Sequence, residues 1–320
     1  MKKRIIALSV GIFIIVLTVL VWVKYERDIR VSYERVQGKS NIISTPYGNV
    51  EYTEGGVGPN VLVIHGGGGG YDQGELLARI VLGEKFRWIA PSRFGYLKSS
   101  LPEGATYDDQ AHAYAKLLDH LEVEKVAVVG LSAGGPSALL FALLHPDRIS
   151  SLTLISAGAT NVTEQAGKQG EKQGKMLAHI MQRDFPYWVS VKLFKKQFMQ
   201  LMGASKEVIA TLSPQQIELM DQFIDYMNPA ALRKSGAAFD HYAELPNERI
   251  AGIRTPTLVV HAEDDTLQPY QNAIFADSTI PGARLLSFEK GGHFVVAIEE
   301  SIVTREVYKH ISNPVFETKE

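Results

Sequence analysis

Strand-length apolar runs alternate with longer helical patterns along most of this chain, and no other feature narrows its fold as much. Residues 61–65 (VLVIH), 86–90 (FRWIA), 126–130 (VAVVG), 152–156 (LTLIS), 257–261 (TLVVH) and 284–288 (RLLSF) read as strands. Several are apolar on successive residues, the pattern of central strands covered on both faces. Helical patterns at 71–82, 107–121, 133–145, 269–278 and 294–310 separate or follow them. The alternation predicts an α/β fold: a mostly parallel central sheet with helices on both faces. Residues 41–54, with PYGN in their middle, predict an antiparallel hairpin leading into that sheet.

One long stretch interrupts the alternation. Between 161 and 249 no strand pattern occurs, and SVKLFKKQFMQLMG and SPQQIELMDQFIDYM repeat apolar residues at spacings of three and four. Ser213 followed by Pro214 marks a helix start, a cap with proline at the first helical position. Residues 161–249 are therefore expected to form a helical lid, inserted between two parts of one core at 40–160 and 250–312. Its large apolar residues, Trp188, Phe223 and Met227 among them, are expected mainly to pack together, with some facing the cleft below. The polar tract EQAGKQGEKQGK at 164–175 predicts a mobile segment.

Residues 1–30 stand apart. Lys2, Lys3 and Arg4 precede a run from Ile5 to Val23 that carries no charge. As a helix that run reaches about 28 Å, close to the thickness of a bilayer core. It ends in Val21-Trp22-Val23-Lys24-Tyr25, with aromatics at the boundary and no small-residue site for a signal peptidase. The expectation is an uncleaved, single-pass anchor in the cell membrane. The basic end should face the cytoplasm, which places the rest of the chain outside.

Bulk properties exclude several partners. A net charge of −2 gives no reason to expect nucleic acid. The absence of cysteine removes disulfides, thiolate metal sites and cysteine nucleophiles together. Nine histidines include no H-E-x-x-H, and no metal or cofactor is expected. His112 and His120 on one helix read as surface or packing residues, and His65 as a structural hydrogen-bond partner. Asn161-Val162-Thr163 is a short glycosylation match.

Three stretches carry chemistry, each just after an expected strand. Ser132 sits in GLSAGG, flanked by some of the smallest residues available, as on a tight strand-to-helix bend. Asp264 and Asp265 follow 257–261, and His293, in EKGGHFVV, follows 284–288. Ligands bind beyond the carboxyl ends of strands in open parallel sheets, so these residues can converge. A serine hydroxyl needs a base within hydrogen-bond reach and a carboxylate to orient that base. A fourth stretch, HGGGGG at 65–70, lets backbone N–H groups approach a small oxyanion unobstructed. It is not a phosphate cradle. The third glycine of G-x-G-x-x-G would fall on Tyr71, Asp72 or Gln73, and Glu75-Leu76 stands where a P-loop needs Lys-Ser/Thr.

Together HGGGGG, GLSAGG, HPDRISSLTLISA, TPTLVVHAEDDTLQP and GGHF resemble the α/β-hydrolase superfamily over roughly residues 40–312. The resemblance implies Ser132 as nucleophile, His293 as general base and then acid, and one aspartate as the orienting acid. The family's acid stands four positions before a proline, which selects Asp265, four before Pro269. The oxyanion donors would be the N–H of Ala133 and that of Gly67. Some positions depart from the family. Ser92 and Leu97 replace the Asp and Gly of its Asp-x-x-Gly-x-Gly-x-Ser stretch, and HGGGGG lacks the proline of proline iminopeptidases. Ser132 stands where epoxide hydrolases and haloalkane dehalogenases carry aspartate, which excludes their mechanisms. The expected function is a membrane-anchored serine hydrolase, esterase-like, cleaving a small apolar or acyl substrate through an acyl-enzyme. The alternatives are a C–C bond hydrolase on the same three residues and a non-catalytic binding protein of the same fold.

Overall fold

The computed structural model describes residues 2–162 and 165–316. Eight strands form one sheet: β1 (Asn41–Thr45), β2 (Gly48–Gly55), β3 (Asn60–Ile64), β4 (Arg87–Pro91), β5 (Val126–Leu131), β6 (Ile149–Ile155), β7 (Thr257–Ala262) and β8 (Arg284–Phe288). Their order is β1-β2-β4-β3-β5-β6-β7-β8. The hairpin β1–β2 joins β4 antiparallel, and every pairing from β4 to β8 is parallel.

Alternate strand residues feed two separate cores because successive side chains point to opposite faces. Leu62, Ile64, Val128, Leu152 and Val259 pack beneath α3 (Tyr107–His120), α4 (Gly135–Leu144) and α11 (Gln271–Thr279). Val61, Val63, Val129, Leu258 and Val260 pack beneath α2 (Tyr71–Val81) and α13 (Glu300–Ser312). Each fully buried Val or Leu contributes about 1.5–3 kcal/mol, so strands apolar on both faces belong at the centre of the sheet with a core on either side. The chain steps from β3 to β4 on one side and then to β5 on the other. That reversal opens a crevice above the carboxyl ends of β3 and β5.

Six helices fill the insertion between β6 and β7: α5 (Gln165–Ile180), α6 (Asp184–Leu193), α7 (Lys195–Leu201), α8 (Lys206–Thr211), α9 (Pro214–Asp225) and α10 (Lys234–Tyr242). Ser213 caps α9 in a reciprocal capping box with Gln216. The tract expected to be mobile is instead helical and forms much of α5. Its glycines allow close approach: a Cβ on Gly170 would lie 2.6 Å from the Leu267 carbonyl oxygen, and one on Gly174 would lie 3.3 Å from His241. Glu164 of that tract and Thr163 of the glycosylation match lie outside the described residues. The helix expected at 294–310 is also broken, into α12 (Val295–Ile298) and α13, at the non-helical Glu299.

The N-terminal helix α1 runs unbroken from Lys2 to Val36. Its apolar half is long and apolar enough to cross a membrane, and none of its most apolar stretch is buried. The last turns dock on the lid and core, burying Ile29 and Val36. Trp22 and Tyr25 meet Phe185, the Trp188 indole donates to Asp28 (3.1 Å), and Tyr33 donates to Asp184 (2.9 Å). Phe185 and Trp188 therefore pack against this stem.

Candidate active site

β5 delivers Ser132 at φ 51°, in the left-handed region that a side chain rarely adopts. The small residues around it are a steric requirement. A Cβ on Gly130 would lie 2.8 Å from Ala138 Cβ, one on Gly134 would lie 2.5 Å from the His65 carbonyl oxygen, and one on Gly135 would lie 2.6 Å from Ala157 Cβ. Three elements thus press on the bend from three directions and hold the serine at the mouth of the crevice. A short 3₁₀ turn, Ser132–Gly134, precedes α4, so the helix starts two residues later than its apolar pattern suggests.

His293 and Asp265 come to this serine from the ends of β8 and β7. The Ser132 hydroxyl lies 2.8 Å from His293 Nε2, and His293 Nδ1 lies 2.8 Å from Asp265 Oδ2. The other Asp265 oxygen accepts the N–H groups of Leu267 and Gln268, both at 2.9 Å. Burial alone would raise the Asp265 pKa. The facing His293 and hydrogen bonds from His261 and His293 outweigh it and hold the carboxyl well below the usual aspartate range. The neighbouring Asp264 does something else: its Oδ1 accepts the Gly292 N–H at 2.7 Å and fixes the loop that carries His293. From the lid, Gly203 closes over the pair. A Cβ there would lie 3.0 Å from His293 Cβ and 3.2 Å from Asp265 Oδ1.

The glycine turn after β3 lies against the serine bend. A Cβ on Gly66 would sit 3.3 Å from Ser132 Cβ, and one on Gly67 would sit 3.7 Å from Ala133 Cβ. The Gly66 N–H is taken by Gln73 Oε1 (3.1 Å), and the Gly68 N–H by the Tyr96 hydroxyl (3.2 Å). The N–H groups of Gly67 and Ala133 have no protein acceptor among the described residues. His65 is structural: Nδ1–H donates to the Gly66 carbonyl (2.7 Å) and Nε2 accepts the Arg93 N–H (2.9 Å). Burial, reinforced by the Arg93 charge, holds that imidazole well below its usual pKa and keeps it neutral. His112 pairs with His145 (2.9 Å) and stacks on Tyr47, while His120 meets the Tyr52 ring.

The stretch that departs from the family pattern holds residues that sequence reasoning missed. Arg93 is fully buried and forms a two-pronged ion pair with Asp240 of α10, at 2.6 and 2.7 Å. Tyr96 and Tyr107 also donate to Asp240, at 2.6 and 3.3 Å. Burial and the Asp240 charge push both phenols up in pKa, so they stay protonated. Ser92 bonds to the Glu51 carboxylate of β2 (3.1 Å) and accepts the Tyr71 N–H (3.0 Å). Leu97 takes φ 52° where the family has glycine, tied by its N–H to the Leu232 carbonyl of the lid at 3.0 Å. A cavity of about 1010 Å³ lies over Ser132 and His293, walled by lid residues including Leu177, Met181, Met202, Phe223 and Met227.

A sheet of this order, with its crevice above β3 and β5, defines an α/β hydrolase. The sequence matches the family described as the alpha/beta hydrolase fold over residues 59–299. The chain belongs to that family and is an enzyme of that class. It is 29% identical over 271 residues to the uncharacterized hydrolase YcgS of Bacillus subtilis, covering 81% of this chain and 93% of that one. Among solved structures it is similar to an alpha/beta hydrolase fold protein from Nakamurella multipartita, with TM-score 0.69, 27% identity, and 85% and 98% of the two chains covered. It shares its fold with a thermophilic esterase from Thermogutta terrifontis, at TM-score 0.66, 23% identity, and 86% and 98% coverage.

Proposed function

We propose that this protein is a serine hydrolase that cleaves an ester or related acyl bond, held in the membrane by α1 with its catalytic domain outside the cytoplasm. One observation carries the reading: an unbroken relay of 2.8 Å contacts from Ser132 through His293 to Asp265. Ser132 Oγ attacks the substrate carbonyl as its proton passes to His293 Nε2. The N–H groups of Gly67 and Ala133 receive the oxyanion, and His293 returns the proton to the departing alcohol. Water then repeats the sequence on the acyl-enzyme. Asp265 stays ionised throughout and stabilises the imidazolium. The apolar lid wall favours a small acyl substrate, because roofed apolar pockets bury most of a small ligand.

A membrane-impermeant fluorophosphonate applied to intact cells tests both parts. It should label the wild-type protein on Ser132, leave Ser132→Ala unlabelled, and sediment with membranes. Equal labelling of the two proteins overturns the nucleophile. Labelling only after lysis overturns the orientation, and labelled protein in the soluble fraction overturns the anchor.

A further inference from the structure

We propose that the lid residue Asp240, acting through Arg93, positions the Gly66–Gly67 peptide of the oxyanion site, so that this site is complete only while α10 is docked. The inference rests on the serine-hydrolase reading above. Arg93 and Asp240 are positioning residues in it, since neither touches the reacting atoms.

A trans peptide is one rigid plane, with the Gly66 carbonyl and the Gly67 N–H pointing opposite ways. Whatever fixes the Gly66 oxygen therefore aims the Gly67 donor. That oxygen accepts three hydrogen bonds: from His65 Nδ1 (2.7 Å), from the Gly69 N–H (3.2 Å) and from Arg93 Nη2 (3.3 Å). Arg93 Nη1 reaches the Ala133 carbonyl at 3.0 Å. One guanidinium thus spans both sides of the site from behind. The next N–H, of Gly68, goes to Tyr96, whose hydroxyl donates onward to Asp240.

Asp240 ties these threads together. An ionised carboxylate offers about four acceptor sites, and here four donors reach them: two from Arg93 and one each from Tyr96 and Tyr107. Nothing is left over for substrate. The planar fork of Arg93 matches the carboxylate in a way an ammonium group cannot. Asp240 belongs to the lid, 147 residues from Arg93, so lid docking and donor alignment share one ion pair.

Charge and position predict opposite outcomes, which makes the inference testable. Asp240 Oδ2 lies 3.8 Å from the Cβ position of Gly67. By charge alone, neutralising it would favour a nearby oxyanion and raise the rate. If Asp240 acts by positioning, Asp240→Asn lowers kcat. Loss of one oxyanion donor costs about 10²- to 10³-fold in kcat, so a misaimed donor should cost about 10- to 100-fold.

The test uses the full-length protein in detergent or membranes, with p-nitrophenyl butyrate as substrate and a trifluoromethyl ketone as transition-state mimic. Asp240→Asn and Arg93→Lys should lower kcat by about 10- to 100-fold with KM within about threefold, and weaken the ketone by a similar factor. Tyr96→Phe keeps the ion pair and removes the hydroxyl that links the Gly68 N–H to Asp240. It should lower kcat several-fold without change in KM, and it decides the matter if the charge variants do not fold. An unchanged or raised kcat in the folded variants, whatever their melting temperature, overturns the inference and leaves the hydrolase reading standing. Hydrolysis by Ser132→Ala at the wild-type rate overturns both.

Discussion

Two buried arginine–aspartate knots join the lid to the core, and similar chemistry does different work in them. In the first, Arg93, held by Asp240, grips the carbonyl of Gly66, whose peptide carries the Gly67 N–H of the proposed oxyanion site, and the neighbouring carbonyl of Ala133. In the second, Asp72 at the start of α2 binds two arginines. Arg233 of the lid pairs with both its oxygens at 3.0 and 2.8 Å, and Arg35 at the end of α1 reaches Oδ2 at 3.1 Å. One carboxylate does not balance two cations. Carbonyl groups complete the set, with Arg35 bonding those of Asp225, Tyr226 and Asn228, and Arg233 those of Gly69 and Asn228. Asp225 and Tyr226 stand at the C-terminus of α9, where aligned peptide dipoles favour a cation. The second knot therefore fastens the stem helix to the lid. What each pair controls depends on which carbonyls its guanidinium holds.

The largest expected effect lies in the core, outside both knots, and sets the scale. Asp265→Asn should lower kcat on the order of 10³- to 10⁴-fold, while Asp264→Asn, which loses only the tie to Gly292, should cost far less. The reverse ranking would reassign the orienting carboxylate. Acid titration gives an independent check. The folded pKa of Asp265 lies below the unfolded value of about 3.9, so its ionised form stabilises the fold above that pH and the contribution is lost as pH falls through the folded pKa. Stability of Asp265→Asn, followed by urea unfolding, should fall less steeply below about pH 4 than that of the wild type.

Next comes the second knot, whose disruption should appear in stability and leave chemistry intact. Asp72→Asn leaves the buried Arg233 and the part-buried Arg35 without their carboxylate and should cost about 3–5 kcal/mol in urea unfolding, with kcat of the folded protein within about threefold. A loss of kcat as large as that of Asp240→Asn, without loss of stability, would erase the distinction between the knots.

The smallest effect concerns the lid wall. Each substrate methylene buried against it contributes roughly 0.8 kcal/mol, about fourfold in kcat/KM when realised in the transition state. Across p-nitrophenyl esters from acetate to palmitate, efficiency should rise and then fall, with its maximum between about C4 and C10 for a cavity of this class. Arg35→Ala loosens the attachment of the stem to the lid and should blunt the fall on the long side. Best activity on palmitate in the wild type would mean that the lid does not close the cavity.

Much of this architecture was legible in the chain. Strand runs such as 126–130 and 257–261 announce themselves because residues adjacent in sequence must satisfy two faces of one sheet. The bend at Ser132 is legible from its run of small residues, although the contacts that require them come partly from His65 and Ala157 on other elements. Ser132, the pair Asp264 and Asp265, and His293 each follow an expected strand, and the family resemblance selected Asp265 from the pair. Tertiary structure decided the rest. Nothing in the sequence singles out Arg93, because its burial depends on Asp240, Tyr96 and Tyr107 converging from distant elements. The polar tract at 164–175 reads as loose, yet it is helical where Gly170 and Gly174 let Leu267 and His241 approach. Local sterics and periodicity are written in consecutive residues. The partner of a buried charge is written only in the fold, because desolvation makes an unpaired ion costly and the residue that relieves that cost lies anywhere along the chain.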